Sequence, residues 1–179
     1  MSQIIFLHGA SSSGKTTLAR TLQREAEVPF WHISIDHLRD SGVLPMQRFH
    51  DNDFDWSEER AKLFAGFHAS LAAYADAGNN LIIEHILDTP EWVETLKRGL
   101  KSHDILFVAV HCPTDILVER EAARGNRQIG SATKDQETIH QDRVYDLEVN
   151  SPDGVEVNAT LILEALRNGL RRSEFTLRG

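Results

Sequence analysis

Apolar runs alternate with amphipathic stretches along the whole chain. Ile4-Ile5-Phe6-Leu7 is an unbroken apolar run and predicts a buried strand over residues 3–8. Residues 15–26 carry Leu18 and Leu22 on one face, a helix closed before Pro29. Further strands are predicted at 31–35, 81–87, 104–112 and 144–149. Helical spacing returns over 58–77, where Phe64, Phe67, Leu71 and Tyr74 form a core-facing stripe and Gly78 suits the position just past the helix. Other helices are predicted at 90–100, opened by Asp88-Thr89-Pro90, at 114–124, at 134–141 and from 153 to about 170.

Strands that alternate with helices and are apolar on both faces imply a parallel sheet covered on each side by right-handed crossovers. A ligand of such a sheet belongs at the carboxyl ends of its strands. Residues 42–57 break the pattern, mixing Met46, Phe49, Phe54 and Trp56 with Asp51, Asp53 and Asp55 and showing no period. A stretch this long is either a functional excursion or a surface segment pinned by its own aromatics.

At 179 residues the chain has the length of one domain with a sizeable core, and 1–179 is read as a single unit. Its 27 acidic and 19 basic residues leave a formal net charge of −8, which argues against a general nucleic-acid surface. Any positive charge for a phosphate must therefore be local. The apolar runs fall far short of a membrane span and the first strand begins without a signal-peptide core, so a soluble, cytoplasmic protein is expected, with a second copy of the chain left open as a partner. Cys112 closes a predicted strand and reads as a small buried residue. The nine histidines include no HExxH spacing and are read as structural or surface residues.

The first strand runs directly into Gly9-Ala10-Ser11-Ser12-Ser13-Gly14-Lys15-Thr16, which is glycine, four residues, then Gly-Lys-Thr. This is the P-loop pattern in its strand-to-helix context. Gly9 and Gly14 are expected to take backbone conformations closed to other residues, so that the amides of Ala10, Ser11, Ser12 and Ser13 turn inward around a phosphate. Lys15 adds a point charge for the β- and γ-phosphates and Thr16 a hydroxyl for Mg²⁺. The helix that continues through Thr17 directs its N-terminal dipole at the anion. The expected fold is α/β, a P-loop NTPase or kinase with a five-stranded, mostly parallel sheet, helices on both faces and an arginine-bearing lid.

Phosphoryl transfer needs positioning and charge neutralisation more than covalent chemistry. Asp36, at the end of the second predicted strand, stands on the P-loop edge of the sheet and suits a general base for an acceptor hydroxyl, or a helix cap. Glu84, after Leu81-Ile82-Ile83, is expected to hold Mg²⁺ directly or through water, with acceptor binding as the alternative. Arg120 and Arg124 share a helix face and Arg127 follows in a glycine-containing loop. With Lys134 they are read as a lid over about 120–141 that reaches the phosphates as charge develops. The alternative for these arginines is pairing with the helix dipole, or with Glu119 and Glu121.

With these residues in place the sequence resembles the chloramphenicol phosphotransferase-like family of P-loop kinases over most of its length. The resemblance rests on GASSSGKT, on Ser34-Ile35-Asp36 followed by Leu38, and on Leu44-Pro45-Met46-Gln47. Its most discriminating part is REAARGNR from Arg120, running through Gly130, Ala132, Lys134 and His140 to Tyr145-Asp146-Leu147-Glu148-Val149. The resemblance implies ATP- and Mg²⁺-dependent transfer of a γ-phosphate to a small-molecule hydroxyl, with Asp36 as base, the arginine segment as lid and, by similarity to adenylate-kinase-like lids, Arg120 against the adenine. Two departures fall where an acceptor would sit: the family's strand-end pair of acids is Glu84-His85 here, and within the acceptor-side loop of about 37–57 the stretch from Gly42 to Ser57 matches only at its start. An antibiotic acceptor is expected, chloramphenicol-like or aminoglycoside-like, the latter suggested by the three aspartates of that loop. The rival readings are a nucleoside or other small-metabolite kinase on the same fold and a partner-dependent ATPase or nucleotide switch. The guanine-reading NKxD motif of GTPase switches is missing from the sequence.

Overall fold

The computed structural model describes residues 1–124, 135 and 138–176. Five parallel strands form one sheet in the order β2-β3-β1-β4-β5: β1 Gln3–His8, β2 Phe30–Ser34, β3 Asn80–His85, β4 Asp104–His111 and β5 Leu147–Asn150. The central β1 is apolar on both faces because helices cover both. Ile4 and Phe6 pack with Phe64, Phe67 and Leu71 of α4 (Trp56–Asp76) and with Val93 and Leu96 of α5 (Pro90–Leu100). Ile5 and Leu7 face the other way, onto Leu18 and Leu22 of α1 (Lys15–Glu25) and Ile162 and Leu166 of the last helix, α7 (Val155–Asn168). This two-sided burial is what a strand without polar alternation requires.

Some boundaries differ from the sequence expectations, for local reasons. The fifth strand begins at Leu147 rather than 144, because the Asp146 side chain takes over hydrogen bonding at the strand entry. Its Oδ2 accepts from the Phe107 amide, while Oδ1 accepts from the amides of Arg172 and Ser173. The third strand ends at His85 instead of continuing to 87. Residues 42–57 contain a one-turn helix, α3 (Met46–His50), and α4 starts at Trp56 with the Asp55 carboxylate accepting from the Ser57 amide. The segment is pinned by its own aromatics: Phe49 meets Phe54 and Trp56 edge-on, and the Arg48 guanidinium lies 4.1 Å from the Phe54 ring.

Asp36 does not end a strand. The strand closes at Ser34, whose hydroxyl accepts from the Asp36 amide and caps α2 (Ile35–Asp40), so Asp36 stands in the first turn of that helix. The cap role weighed for Asp36 belongs to Ser34. α6 (Thr114–Arg124) carries the start of the segment read as the lid, Arg120 and Arg124 included, and most of the remainder, with Arg127 and Lys134, lies outside the described residues. No helix among the described residues is long and apolar enough to cross a membrane.

Candidate active site

The loop between β1 and α1 packs tightly under the sheet edge. Gly14 caps α1 at φ 99°, a left-handed conformation that favours glycine, and Ser12 at φ 64° shares that region. Gly9 requires glycine for a different reason: a Cβ there would lie 2.4 Å from the Val110 carbonyl oxygen, because the loop passes close to β4. The sequence expectation of special dihedrals holds for Gly14, whereas at Gly9 the constraint is space. Lys15 is buried and its ammonium donates to the carbonyls of Gly9 (2.8 Å) and Ala10 (2.6 Å). The first amides of α1 stand where a helix leaves its donors unpaired, the usual seat for an anion.

Two cavities adjoin this loop, and both are walled by Ser12 and Gly14. The first, of about 200 Å³, brings Lys15, Thr16, Asp36 and Glu84 together with Arg39, His85, Asp88 and Trp92. The second, of about 490 Å³, lies between Thr17, Arg120, Ser151 and Asn158, toward β4 and β5, which flank β1 on the side away from β2 and β3. Arg120 Nη1 donates to Ser151 Oγ at 2.9 Å and to the Ser12 carbonyl at 3.3 Å, so it turns to the P-loop rather than to Glu119 or Glu121. Arg124 closes α6.

Glu84 is held from two sides. The Thr16 hydroxyl donates to Oε1 at 2.9 Å, and His32 Nε2–H donates to Oε2 at 3.0 Å. Burial pushes the carboxyl's pKa up, but the His32 hydrogen bond, the Lys15 ammonium and the Thr16 hydroxyl outweigh that, so it is held below its ordinary value. An ionised carboxylate beside a P-loop threonine hydroxyl is a hard oxygen donor set, which fits Mg²⁺. Among the described residues no group of three His, Cys, Asp or Glu side chains could hold a metal alone. A cation held by these two side chains would therefore complete its shell with phosphate and water oxygens, the habit of Mg²⁺.

The far wall of the first cavity is aromatic, and its charges are paired. Phe64, His85 and Trp92 stack on one another with centroids 4.1 to 5.6 Å apart. Arg60 lies over Phe64 and Trp92 and pairs with both oxygens of Asp88, at 3.0 and 2.9 Å. Asp36 pairs with Arg39 at 3.2 Å. His85 is buried against His68, Nε2 to Nε2 at 2.9 Å; burial first, then His68, Arg60 and Lys15, hold its pKa well below 6.5 and keep it neutral. On the same face of the sheet, the Tyr145 hydroxyl bridges Nδ1 of His8 and Nδ1 of His140, at 2.8 and 2.7 Å.

Sequence reasoning places Lys15, Thr16, Asp36 and Glu84 at one edge, and the structure brings them together around one cavity. It missed His32, Arg39 and the Arg60–Asp88 pair. The one available signal for His32 is its place on β2, two residues before Ser34, the residue in register with Glu84. Asp51, Asp53 and Asp55 do not line the cavity: Asp51 accepts from Gln47, Asp53 pairs with Arg48 and Asp55 caps α4.

A family model described as chloramphenicol phosphotransferase-like protein matches residues 2–167. Two Mycobacterium tuberculosis proteins, from strains CDC 1551 and H37Rv, are named as candidate O-phosphotransferases. Each is 27% identical over 168 residues, covering 83% of this chain and 75% of its own. Among solved structures, the M. tuberculosis APS kinase CysC in complex with AMPPNP and APS superposes with a TM-score of 0.69 at 17% identity, over 93% of this chain and 98% of its own. A gluconokinase from Sinorhizobium meliloti superposes at 0.66 and 16% identity, over 93% and 92%. At these identities the structural likeness establishes the kinase fold.

Proposed function

The chain belongs to the chloramphenicol phosphotransferase-like family and is a phosphotransferase with hydroxyl acceptors, and we propose that it moves the γ-phosphate of ATP, with Mg²⁺, to a hydroxyl of a compact, neutral small molecule. The observation that carries this reading is one phosphate loop shared by two cavities, a larger one toward Arg120 on the β4–β5 side of β1 and a smaller one toward Asp36 on the β2–β3 side. In-line displacement asks for that arrangement, with donor and acceptor on opposite sides of the transferred group.

In the proposed reaction the amides of residues 10–17 and Lys15 hold the β- and γ-phosphates. Thr16 and Glu84 would hold Mg²⁺, which supplies charge neutralisation at the phosphate oxygens when bound. Asp36 takes the proton from the acceptor hydroxyl as its oxygen bonds to the γ-phosphorus and the bond to the β–γ bridging oxygen breaks, releasing ADP. Arg120 supports the nucleotide side. Arg124 and Arg127 are proposed to close over the phosphates as the lid.

Within the acceptor class, the paired charges of the cavity favour a neutral, hydroxyl-bearing molecule. Asp36 and Asp88 each face an arginine, and the loop aspartates are turned to their own segment. This favours a chloramphenicol-like antibiotic over a cationic aminoglycoside. A small polyhydroxylated metabolite is the second reading, favoured by a cavity of only about 200 Å³. The deciding experiment is ATP turnover with Mg²⁺ across chloramphenicol, aminoglycosides, nucleosides and sugar alcohols, with mass spectrometry for a product heavier by one phosphoryl group. A product on a neutral hydroxylated acceptor is expected. Phosphate release indifferent to every acceptor would overturn the reading in favour of a partner-dependent ATPase.

A further inference from the structure

We infer that His32 is a positioning residue for the cation site, fixing the Glu84 carboxylate so that Oε1 stays with Thr16 at the phosphate loop; this rests on Glu84 holding the metal as proposed above. The two carboxylate oxygens have separate partners, Thr16 Oγ1 at 2.9 Å on Oε1 and His32 Nε2 at 3.0 Å on Oε2. An ionised carboxylate only accepts, so Nε2 of His32 carries the proton in this contact and the hydrogen bond sets its tautomer.

The sheet explains why a residue so far away in the sequence can do this. Ser34 of β2 is in register with Glu84 of β3, and His32 with Ile82. Side chains two apart on a strand share a face, so His32 and Glu84 lie diagonally on the same side of the sheet, toward α1. The side chains are 5% and 11% exposed, so water competes little for either. The His37 ring meets the His32 ring edge-on at 4.6 Å, adding a packing restraint on its orientation.

A partner that orients a metal-binding side chain typically contributes 10- to 100-fold in metal affinity. The test is Mn²⁺ binding by electron paramagnetic resonance, in the presence of a non-hydrolysable ATP analogue, on the parent, Glu84→Gln, His32→Ala and His32→Gln proteins, with turnover as a function of Mg²⁺ alongside. His32→Ala should weaken Mn²⁺ binding by about 10-fold or more. The Mg²⁺ needed for half-maximal rate should rise with it, while metal-free nucleotide binding stays at the parent value. His32→Gln, which keeps a donor, should recover part of the loss and serves as the variant if the alanine protein does not fold. If Glu84→Gln weakens Mn²⁺ binding and neither His32 variant does, the positioning role is refuted while the Glu84 reading stands. If Glu84→Gln itself leaves Mn²⁺ binding unchanged, the metal role of Glu84 fails and the role of His32 falls with it.

Discussion

Replacing Gly9 by alanine should destabilise the fold, and the size of the effect follows from one contact. The new Cβ would sit 2.4 Å from the Val110 carbonyl oxygen and 3.0 Å from Ser13 Oγ. The first distance is about an ångström inside the roughly 3.5–4.0 Å at which carbon packs. Neither side of the contact can yield cheaply, since β1 and β4 are paired from Gln3↔Asp104 to His8↔Ala109 immediately before it. Overpacking costs typically about 1–3 kcal/mol, and a clash with backbone belongs at the top of that range. At about 2–4 °C of Tm per kcal/mol for a chain of this size, about 3 kcal/mol is a fall of about 6–12 °C. Gly14→Ala is the control: its Cβ would meet only the side chains of Ser151 (3.2 Å) and Arg120 (3.6 Å), but φ is 99°. Left-handed backbone costs an L-residue about 1–2 kcal/mol, so Gly14→Ala should melt closer to the parent and lose mainly nucleotide affinity. Calorimetry and ATP titration of the two variants decide the matter. A Gly9→Ala protein melting within about 2 °C of the parent, well under the shift expected for a core clash, would refute the steric assignment.

Asp36→Asn should lower phosphoryl transfer by about 10²-fold or more, as for a lost general base, while Tm and ATP affinity hold, because Ser34 and not Asp36 caps α2. A fall in Tm without a fall in rate would place Asp36 in the scaffold instead. Lys15→Ala should abolish nucleotide-dependent turnover, and parent-like turnover would remove the P-loop assignment. Stability should fall on acidification from pH 7 to pH 5. His68 and His140 are held at about 4 by burial, with His111 a further cause at His140, and burial holds His8 and His85 well below 6.5. The unfolded chain then takes up protons near pH 6.5 that the folded chain refuses, so this stability is full above about 6.5 and is lost as pH drops toward the folded values, by up to about 1.4 kcal/mol per pH unit for each histidine. Urea midpoints equal at pH 7 and pH 5 would contradict that.

What could be read from the sequence is what depends on local pattern. Ile4 to Leu7 had to be a buried strand, GASSSGKT had to turn into a helix, and the alternation of elements implied a parallel sheet, because each rests on neighbours in the chain. What could not be read depends on register and loop closure. His32 reaches Glu84 only because Ser34↔Glu84 are aligned across β2 and β3, and nothing local to residues 30–34 specifies that. The aspartates of 42–57 looked like acceptor ligands because their count is visible and their direction is not; Arg48, Gln47 and the α4 N-terminus use them locally. The same holds for the end of the second strand, where a Ser-Ile-Asp run offers two residues that can cap a helix and the backbone chose the serine.

The order of the sheet also separates the two halves of the proposed reaction along the chain. Elements between β2 and α5 contribute Asp36, Arg39, Glu84, His85, Asp88 and Trp92 to the smaller cavity, whereas Val110, Arg120, Ser151, Val155 and Asn158, which wall the larger one, all lie on β4 and beyond. Among the described residues, only the loop at the end of β1 serves both. A parallel sheet that returns to the centre after β3 brings this about, because β2 and β3 lie on one side of β1 while β4 and β5 lie on the other. Loops on the β2–β3 side can then be rebuilt for a new acceptor without disturbing the nucleotide wall. The acidic, aromatic 42–57 segment and the imidazole at His85 both fall on that side, so on the proposed reading the departures from the family pattern bear on the acceptor, while the groups proposed for handling ATP are left in place.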